Sequence, residues 1–126
     1  MRRTIVFCSA AILILSTLIG CADEKIKQMT IYKMVSFQET KQDSLKVITD
    51  TTEISIIETA FKGASKNPGI ADMADPEYKV ELGNDTYFLW IREDAGTIEK
   101  INETSTTYSL SMKSAKEVYR LIMSYY

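Results

Sequence analysis

The stretch Tyr87-Phe88-Leu89-Trp90-Ile91 is a run of five apolar or aromatic residues, and it decides the fold. A strand with one face in water alternates apolar and polar side chains, whereas this run is apolar on both faces. We therefore expect a central strand, with one face against a helix and the other against a loop, a second helix or a partner. Turn-forming residues flank the run, as Gly83-Asn84-Asp85 before it and Glu93-Asp94-Ala95-Gly96 after it.

Alternating patterns on either side of this run predict an antiparallel meander. Tyr78, Val80 and Leu82 alternate with charged residues, which is typical of a strand with one wet face. Leu45–Ile48 is either another strand or the approach to a helix. Weaker alternation predicts three more strands, at Met29–Phe37, Thr97–Asn102 and Thr106–Leu110.

Two segments have helical periodicity. Asp50 and Glu53 form a capping box before an apolar stripe that predicts a helix over about 51–64. A second stripe, capped by Ser111 or Ser114, predicts a helix over about 112–125, in which Tyr125 packs and Tyr126 frays. The fold class is therefore α+β, with an antiparallel sheet of four to five strands and both helices on one face, giving two layers over residues 29–126.

The first 20 residues have the pattern of an export signal. Arg2 and Arg3 precede a short apolar run that ends in Leu18-Ile19-Gly20-Cys21, the form of a bacterial lipobox. The motif predicts a signal peptide over 1–20, cleavage between Gly20 and Cys21, and diacylglycerol, with palmitate as the expected fatty acid, on the Cys21 sulfur. Two acyl chains give stable anchoring to a bilayer. The alternatives are an ordinary secretory signal with an incidental cysteine, or an uncleaved anchor helix.

This anchor sets the expected location and organisation of the chain. The domain would be held on the extracytoplasmic face of the cell membrane, with residues 21–28 as a polar tether and 29–126 as a single domain. Loss of Arg2 and Arg3 with the signal leaves 13 basic and 17 acidic residues, a net charge of −4. That balance, without basic patches interleaved with aromatics, argues against nucleic acid as a partner.

The residue inventory excludes several kinds of catalytic site. The chain has no His, Cys8 would leave with the signal and Cys21 would carry lipid. A Ser–His–Asp triad, a thiol–His pair and a His/Cys zinc site are therefore all excluded. We predict no catalytic residues, no metal and no cofactor.

Two groups of residues are candidates for facing a ligand. Asp72 and Asp75, with Glu77, lie in or beside the irregular stretch 65–77 and could bind calcium or work as an acid–base pair, or simply form turns. Tyr87 and Trp90 could line a groove or pack in the core, and because they differ by an odd number they point to opposite faces of the strand.

The chain resembles the YhfM-like family of bacterial lipoproteins, found in spore-forming Gram-positive organisms. Besides the lipobox, the resemblance is carried by Pro76 with Tyr78, by Gly96, by the terminal helix, and by three motifs: Gly69-Ile70-Ala71-Asp72-Met73, Tyr87-Phe88-Leu89-Trp90-Ile91 and Tyr108-Ser109-Leu110. It implies a cell-surface lipoprotein whose domain has no assigned function, and it brings no functional residues with it.

These observations together predict a small non-enzymatic binding or interaction module. Its partners would be the membrane, through Cys21, and an envelope protein or a small ligand. The alternatives are a carboxylate-based hydrolase or a calcium-binding domain that uses the 65–77 loop, and an accessory subunit of an envelope complex.

Overall fold

The computed structural model describes residues 25–126, so the predicted signal peptide over 1–20 and the predicted cleavage and lipidation site at Gly20 and Cys21 lie outside the described residues. The elements follow in chain order: β1 (Met29–Lys33), β2 (Lys46–Ile48), α1 (Thr51–Lys62), β3 (Ser65–Lys66), β4 (Tyr78–Leu82), β5 (Asp85–Ile91), β6 (Gly96–Lys100), β7 (Tyr108–Ser109) and α2 (Met112–Met123). Neither helix of this described part is long and apolar enough to span a bilayer.

All the strands join one antiparallel sheet in the order β2-β1-β4-β5-β6-β7-β3, which confirms the α+β class. The predicted number of four to five strands is wrong, because the sheet has seven. The segment predicted as irregular contains β3, which has two residues and is too short to show any periodicity. The first strand ends at Lys33 rather than at Phe37, because the chain bends there and Met34 pairs with Thr40.

Both helices pack on one face of the sheet, as predicted. The side chain of Asp50 accepts a hydrogen bond from the Glu53 backbone N–H at 3.0 Å, which caps the first helix. The helices meet the inward-facing side chains of the central strands in one continuous apolar core. The most completely buried large side chains in that core are Met29, Ile31, Ile48, Ile57, Leu89, Ile98, Ile122, Val80 and Val118.

The opposite face of the sheet, which we call the outer face, is covered by chain rather than by helices. β3 lies at one edge and β4 lies between β1 and β5, so residues 67–77 pass across β7, β6 and β5 to join them. We call this stretch the crossover segment. It spans four strand spacings, about 19 Å. The Ala71 N–H donates to the Ser105 carbonyl at 3.1 Å, and the Trp90 indole N–H donates to the Ala74 carbonyl at 3.0 Å. The crossover segment is therefore fastened to the outer face.

Tyr126 is fixed in place, so the expectation that it frays is wrong. Its hydroxyl donates to the Ser44 carbonyl at 2.7 Å and lies 3.2 Å from the Ile31 carbonyl. Its ring packs on Tyr78, with 5.7 Å between ring centroids, and the Lys33 ammonium lies 4.7 Å from its centroid. Burial raises the pKa of the Tyr126 hydroxyl to about 12.

We expect Tyr126→Phe to lower the free energy of unfolding by about 1 kcal/mol, because the part-buried Ser44 carbonyl loses its hydrogen-bond donor. Thermal unfolding of this variant is compared with that of Tyr119→Phe, which removes a hydroxyl from the same helix end and is expected to change little. Because the folded state raises the pKa of Tyr126 from 10.0 to about 12, its contribution is complete below pH 10 and is lost as the pH rises toward 12. The stability difference between the wild type and Tyr126→Phe should therefore shrink over that range, and a difference that grows there would contradict the assignment.

Candidate functional site

A cavity of about 420 Å³ lies between the crossover segment and the outer face of the sheet. We call it the outer-face cavity. Its walls come from the bend after β1, the crossover segment, the two central strands and the turn after β6. The lining residues are Phe37, Gln38, Ala71, Asp72, Met73, Phe88, Glu99, Thr104 and Ser105.

Glu99 is a mostly buried residue whose carboxylate oxygens reach this cavity. It lies on β6 directly across from Phe88 of β5, and only 7% of its surface is exposed. Within residues 25–126 it forms no hydrogen bond and no ion pair. Burial raises the pKa of the Glu99 carboxyl above its ordinary value of 4.5, because the charged form loses water without gaining a partner.

Two aromatic rings, Phe37 and Phe88, line the cavity together with Glu99, and Trp90 packs next to them. Phe37 lies 5.4 Å from Phe88 and 6.1 Å from Trp90 between ring centroids, in edge-to-face arrangements. Phe88 and Trp90 are 6.5 Å apart. The first strand ends at Lys33, earlier than predicted, and the bend that follows brings Phe37 to this wall. Phe37 therefore lies at the site instead of in the sheet.

A second cavity of about 360 Å³ continues along the outer face from the first. It is lined by Trp90 and Glu77, and Met73 borders both cavities. We call the two cavities, which share Met73 as a wall residue, the outer-face trough, and Glu99 lies in the first of them.

The residues predicted from sequence to face a ligand do not form one site. Asp72 lines the outer-face cavity with Glu99, and Trp90 lines the second cavity. Asp75 is exposed and lines neither cavity. Tyr87 lies on the helix side of the sheet, where its ring packs on Phe61 with 4.9 Å between centroids.

The structure does not bring the carboxylates of the 65–77 loop together in the way that the suggested calcium site would require. Among the described residues no three carboxylates, or other metal-binding side chains, come together in a way that could hold a metal ion. Asp72 and Glu77 line different cavities, because the crossover segment is extended along the outer face instead of folding back on itself.

Glu99 was not among the predicted site residues. In sequence, Thr97 and Glu99 alternate with Ile98, which is the ordinary pattern of a strand with one face in water. One feature of the sequence could have indicated its burial. The apolar run Tyr87–Ile91 must be buried on both faces, so a charged residue that pairs with this run, such as Glu99, is buried with it. The pairing itself depends on the register between β5 and β6.

A comparison with solved structures shows the same fold in a thioesterase-like protein from Clostridium sporogenes. The TM-score is 0.59 and the sequence identity is 15%, over 79% of this chain and 96% of that one. At this identity the likeness establishes the fold alone. No curated protein matches the sequence.

This likeness contradicts the expectation of a non-enzymatic binding or interaction module. That expectation followed from the absence of His and of a free Cys. It was wrong to exclude an enzyme on that ground, since the fold also occurs in a thioesterase-like protein. The hydrolase alternative placed its site in the 65–77 loop, and that location is wrong because Asp72 and Asp75 do not converge. The mostly buried carboxylate is that of Glu99, on the sheet.

The family model described as YhfM protein matches residues 24–126, which is most of the chain and includes every element of the domain. The resemblance noted from the sequence motifs is thereby confirmed. The chain belongs to the YhfM family.

Proposed function

We propose that the domain is a hydrolase of acyl thioesters in which Glu99 is the general base. The observation that carries the proposal is the enclosed Glu99 carboxylate, unpaired within residues 25–126, beside an aromatic wall. The fold shared with a thioesterase-like protein supports the choice of substrate class.

The chemistry follows from the raised pKa of Glu99. A carboxylate whose charge is poorly solvated is a stronger base than one in water, and a base with a pKa nearer to the working pH is more effective. The sequence has no His to take this role. A carboxylate can take it without a nucleophilic Ser or Cys, because water itself is the nucleophile.

In the proposed reaction, the oxygen of a water molecule forms a bond to the thioester carbonyl carbon while Glu99 accepts one proton from that water. The carbonyl oxygen becomes an oxyanion, for which the side chains of Gln38, Thr104 and Ser105 supply donors in the cavity wall. When the oxyanion collapses, the carbon–sulfur bond breaks. The leaving thiolate then takes the proton from Glu99, so the products are a carboxylic acid and a thiol.

The shape of the trough favours an apolar acyl group. Phe37 and Phe88 offer ring faces next to Glu99, and the second cavity extends the apolar surface toward Trp90.

We further propose that the domain works on the extracytoplasmic face of the cell membrane, held by lipid on Cys21. The lipobox Leu18-Ile19-Gly20-Cys21 supports this location, and Cys21 lies outside the described residues.

Replacement of Glu99 tests the proposed reaction. We expect Glu99→Gln to lower kcat for acyl thioester hydrolysis by about 100-fold or more, since a general base contributes roughly 10²–10⁴-fold. KM should change little. A thiol-reactive chromophore measures the released thiol, with acyl chains of short, medium and long length as substrates.

Glu81→Gln is the matched control, because Glu81 also lies on the outer face but is half-exposed and accepts a hydrogen bond from Thr30 at 2.9 Å. Equal rates for the wild type and Glu99→Gln, or no hydrolysis of any acyl thioester, would refute the proposal. Loss of fold would not explain the loss of rate. The raised pKa of Glu99 contributes stability only below its unfolded value, so at pH 7 Glu99→Gln should unfold at the same temperature as the wild type or higher.

The pH dependence of kcat/KM provides a second test. A general base must be deprotonated, so activity should fall as the pH drops through the pKa of Glu99. Because burial raises that pKa, the midpoint of the acid limb should lie above 4.5. An acid limb at 4.5 or lower would indicate a solvated carboxylate instead.

The proposed anchor makes a separate prediction. We expect the wild type to fractionate with membranes and Cys21→Ser to lose both the lipid mass and the membrane association. Cys8→Ser changes the other cysteine, within the signal, and should leave both unchanged. A Cys21→Ser protein that stays in the membrane with the mass of the wild type would show that residues 1–20 are retained.

A further inference from the structure

The beginning of the described chain is packed against the domain. Ile26 is half-buried and lies against the apolar core. A Cβ atom placed on Gly83, in the turn between β4 and β5, would lie 3.4 Å from both Cγ1 and Cδ1 of Ile26. The residues expected to form a tether over 21–28 therefore do not all stand away from the domain, because the packed part already begins at Ile26.

This contact leaves a short spacer between the proposed lipid anchor and the domain. Five residue steps separate Cys21 from Ile26, and a fully extended chain of that length reaches about 18 Å. A domain of this size has a radius of gyration of about 13 Å, and hence a diameter of roughly 34 Å. The spacer is too short to let the domain turn its opposite end to the bilayer.

We propose that one end of the domain lies on the phospholipid surface. This membrane-facing end consists of Lys25, Ile26, Lys27 and the turn residues Gly83 and Asn84. The inference rests on the proposed anchor at Cys21, and it adds a preferred orientation with this end nearest to the bilayer, which lipidation alone does not require.

The charges at this end are compatible with a bilayer that contains anionic lipid. Lys25 and Lys27 are exposed and form no ion pair within residues 25–126. The neighbouring acids are compensated: Glu58 lies 2.7 Å from Lys62, and Asp85 lies 3.9 Å from Lys100. Asp23 and Glu24 in the spacer offset the two lysines in number. Spacer length therefore excludes the inverted orientation, and the lysines contribute a local contact that favours this end.

The two ends of β5 provide matched positions for a test. Asn84 is in the turn before the strand and Asp94 is in the turn after it, and both are exposed. The seven residues of the strand place these turns roughly 20 Å apart. With Cys8 removed and Cys21 acylated, Asn84→Cys and Asp94→Cys each carry a single reactive thiol for a fluorescent label.

The labelled lipoproteins are reconstituted into vesicles of phosphatidylglycerol and phosphatidylcholine with brominated acyl chains, which quench only nearby fluorophores. We expect quenching at position 84 to be several-fold greater than at position 94. Twelve Gly/Ser residues inserted between Ala22 and Asp23 should bring the two values close together, because a long flexible spacer permits all orientations.

Equal quenching at the two positions with the native spacer overturns the proposal, as does a difference that persists unchanged after the insertion. If neither labelled protein floats with the vesicles, both the anchor and the orientation are overturned. Flotation alone distinguishes this outcome from a wrong orientation of an anchored protein. None of these outcomes bears on the hydrolase proposal, whose readout is thiol release.

Discussion

Burial of β5 on both faces is the constraint on which the rest of this domain depends. Leu89 and Ile91 face the helices, and Phe88 and Trp90 face the other way, so neither surface of the strand can be left in water without a large cost in apolar exposure. The helices cover the first surface. The crossover segment covers the second, because the sheet order forces the chain from the edge strand β3 back to β4 across the central strands.

The same cover creates the candidate site. The segment that shields Phe88 also encloses Glu99, the cross-strand neighbour of Phe88. Glu99 has no partner within residues 25–126 and is mostly buried, while its carboxylate oxygens still reach the cavity. Its reduced hydration raises the pKa of the carboxyl above its ordinary value. Hydrogen bonds from the Ala71 N–H and the Trp90 indole N–H hold the crossover segment over Glu99. The burial of Glu99 is therefore maintained by contacts that do not involve its own carboxylate.

Local patterns were sufficient to predict the α+β class, the central strand and both helices, since apolar periodicity and the cap at Asp50 act over a few residues. They were not sufficient for β3, where two residues pair with β7 across about 40 residues of sequence and Asn67 bonds beside them to Thr107 and Ser109. Glu99 was missed for a related reason. Its alternation on β6 is that of a wet strand, and its burial depends on a segment that is distant in sequence.

The error about function had a chemical origin. The absence of His and of a free thiol excludes several catalytic sites, but it does not exclude a carboxylate that activates water. Asp72 was found because it lies in a long loop, and it does line the cavity, whereas Asp75 in the same loop points elsewhere. Loop position alone could not separate the two, because what distinguishes them is how the extended segment lies across the sheet.

The central claim is that the fold encloses Glu99 and leaves it unpaired within the described part of the chain. A carbon-13 NMR titration of its side-chain carboxyl, assigned by comparison with Glu99→Gln, measures this directly. We expect a titration midpoint above 4.5, because burial disfavours the charged form. A midpoint at or below 4.5 would show instead that water or a partner solvates the carboxylate.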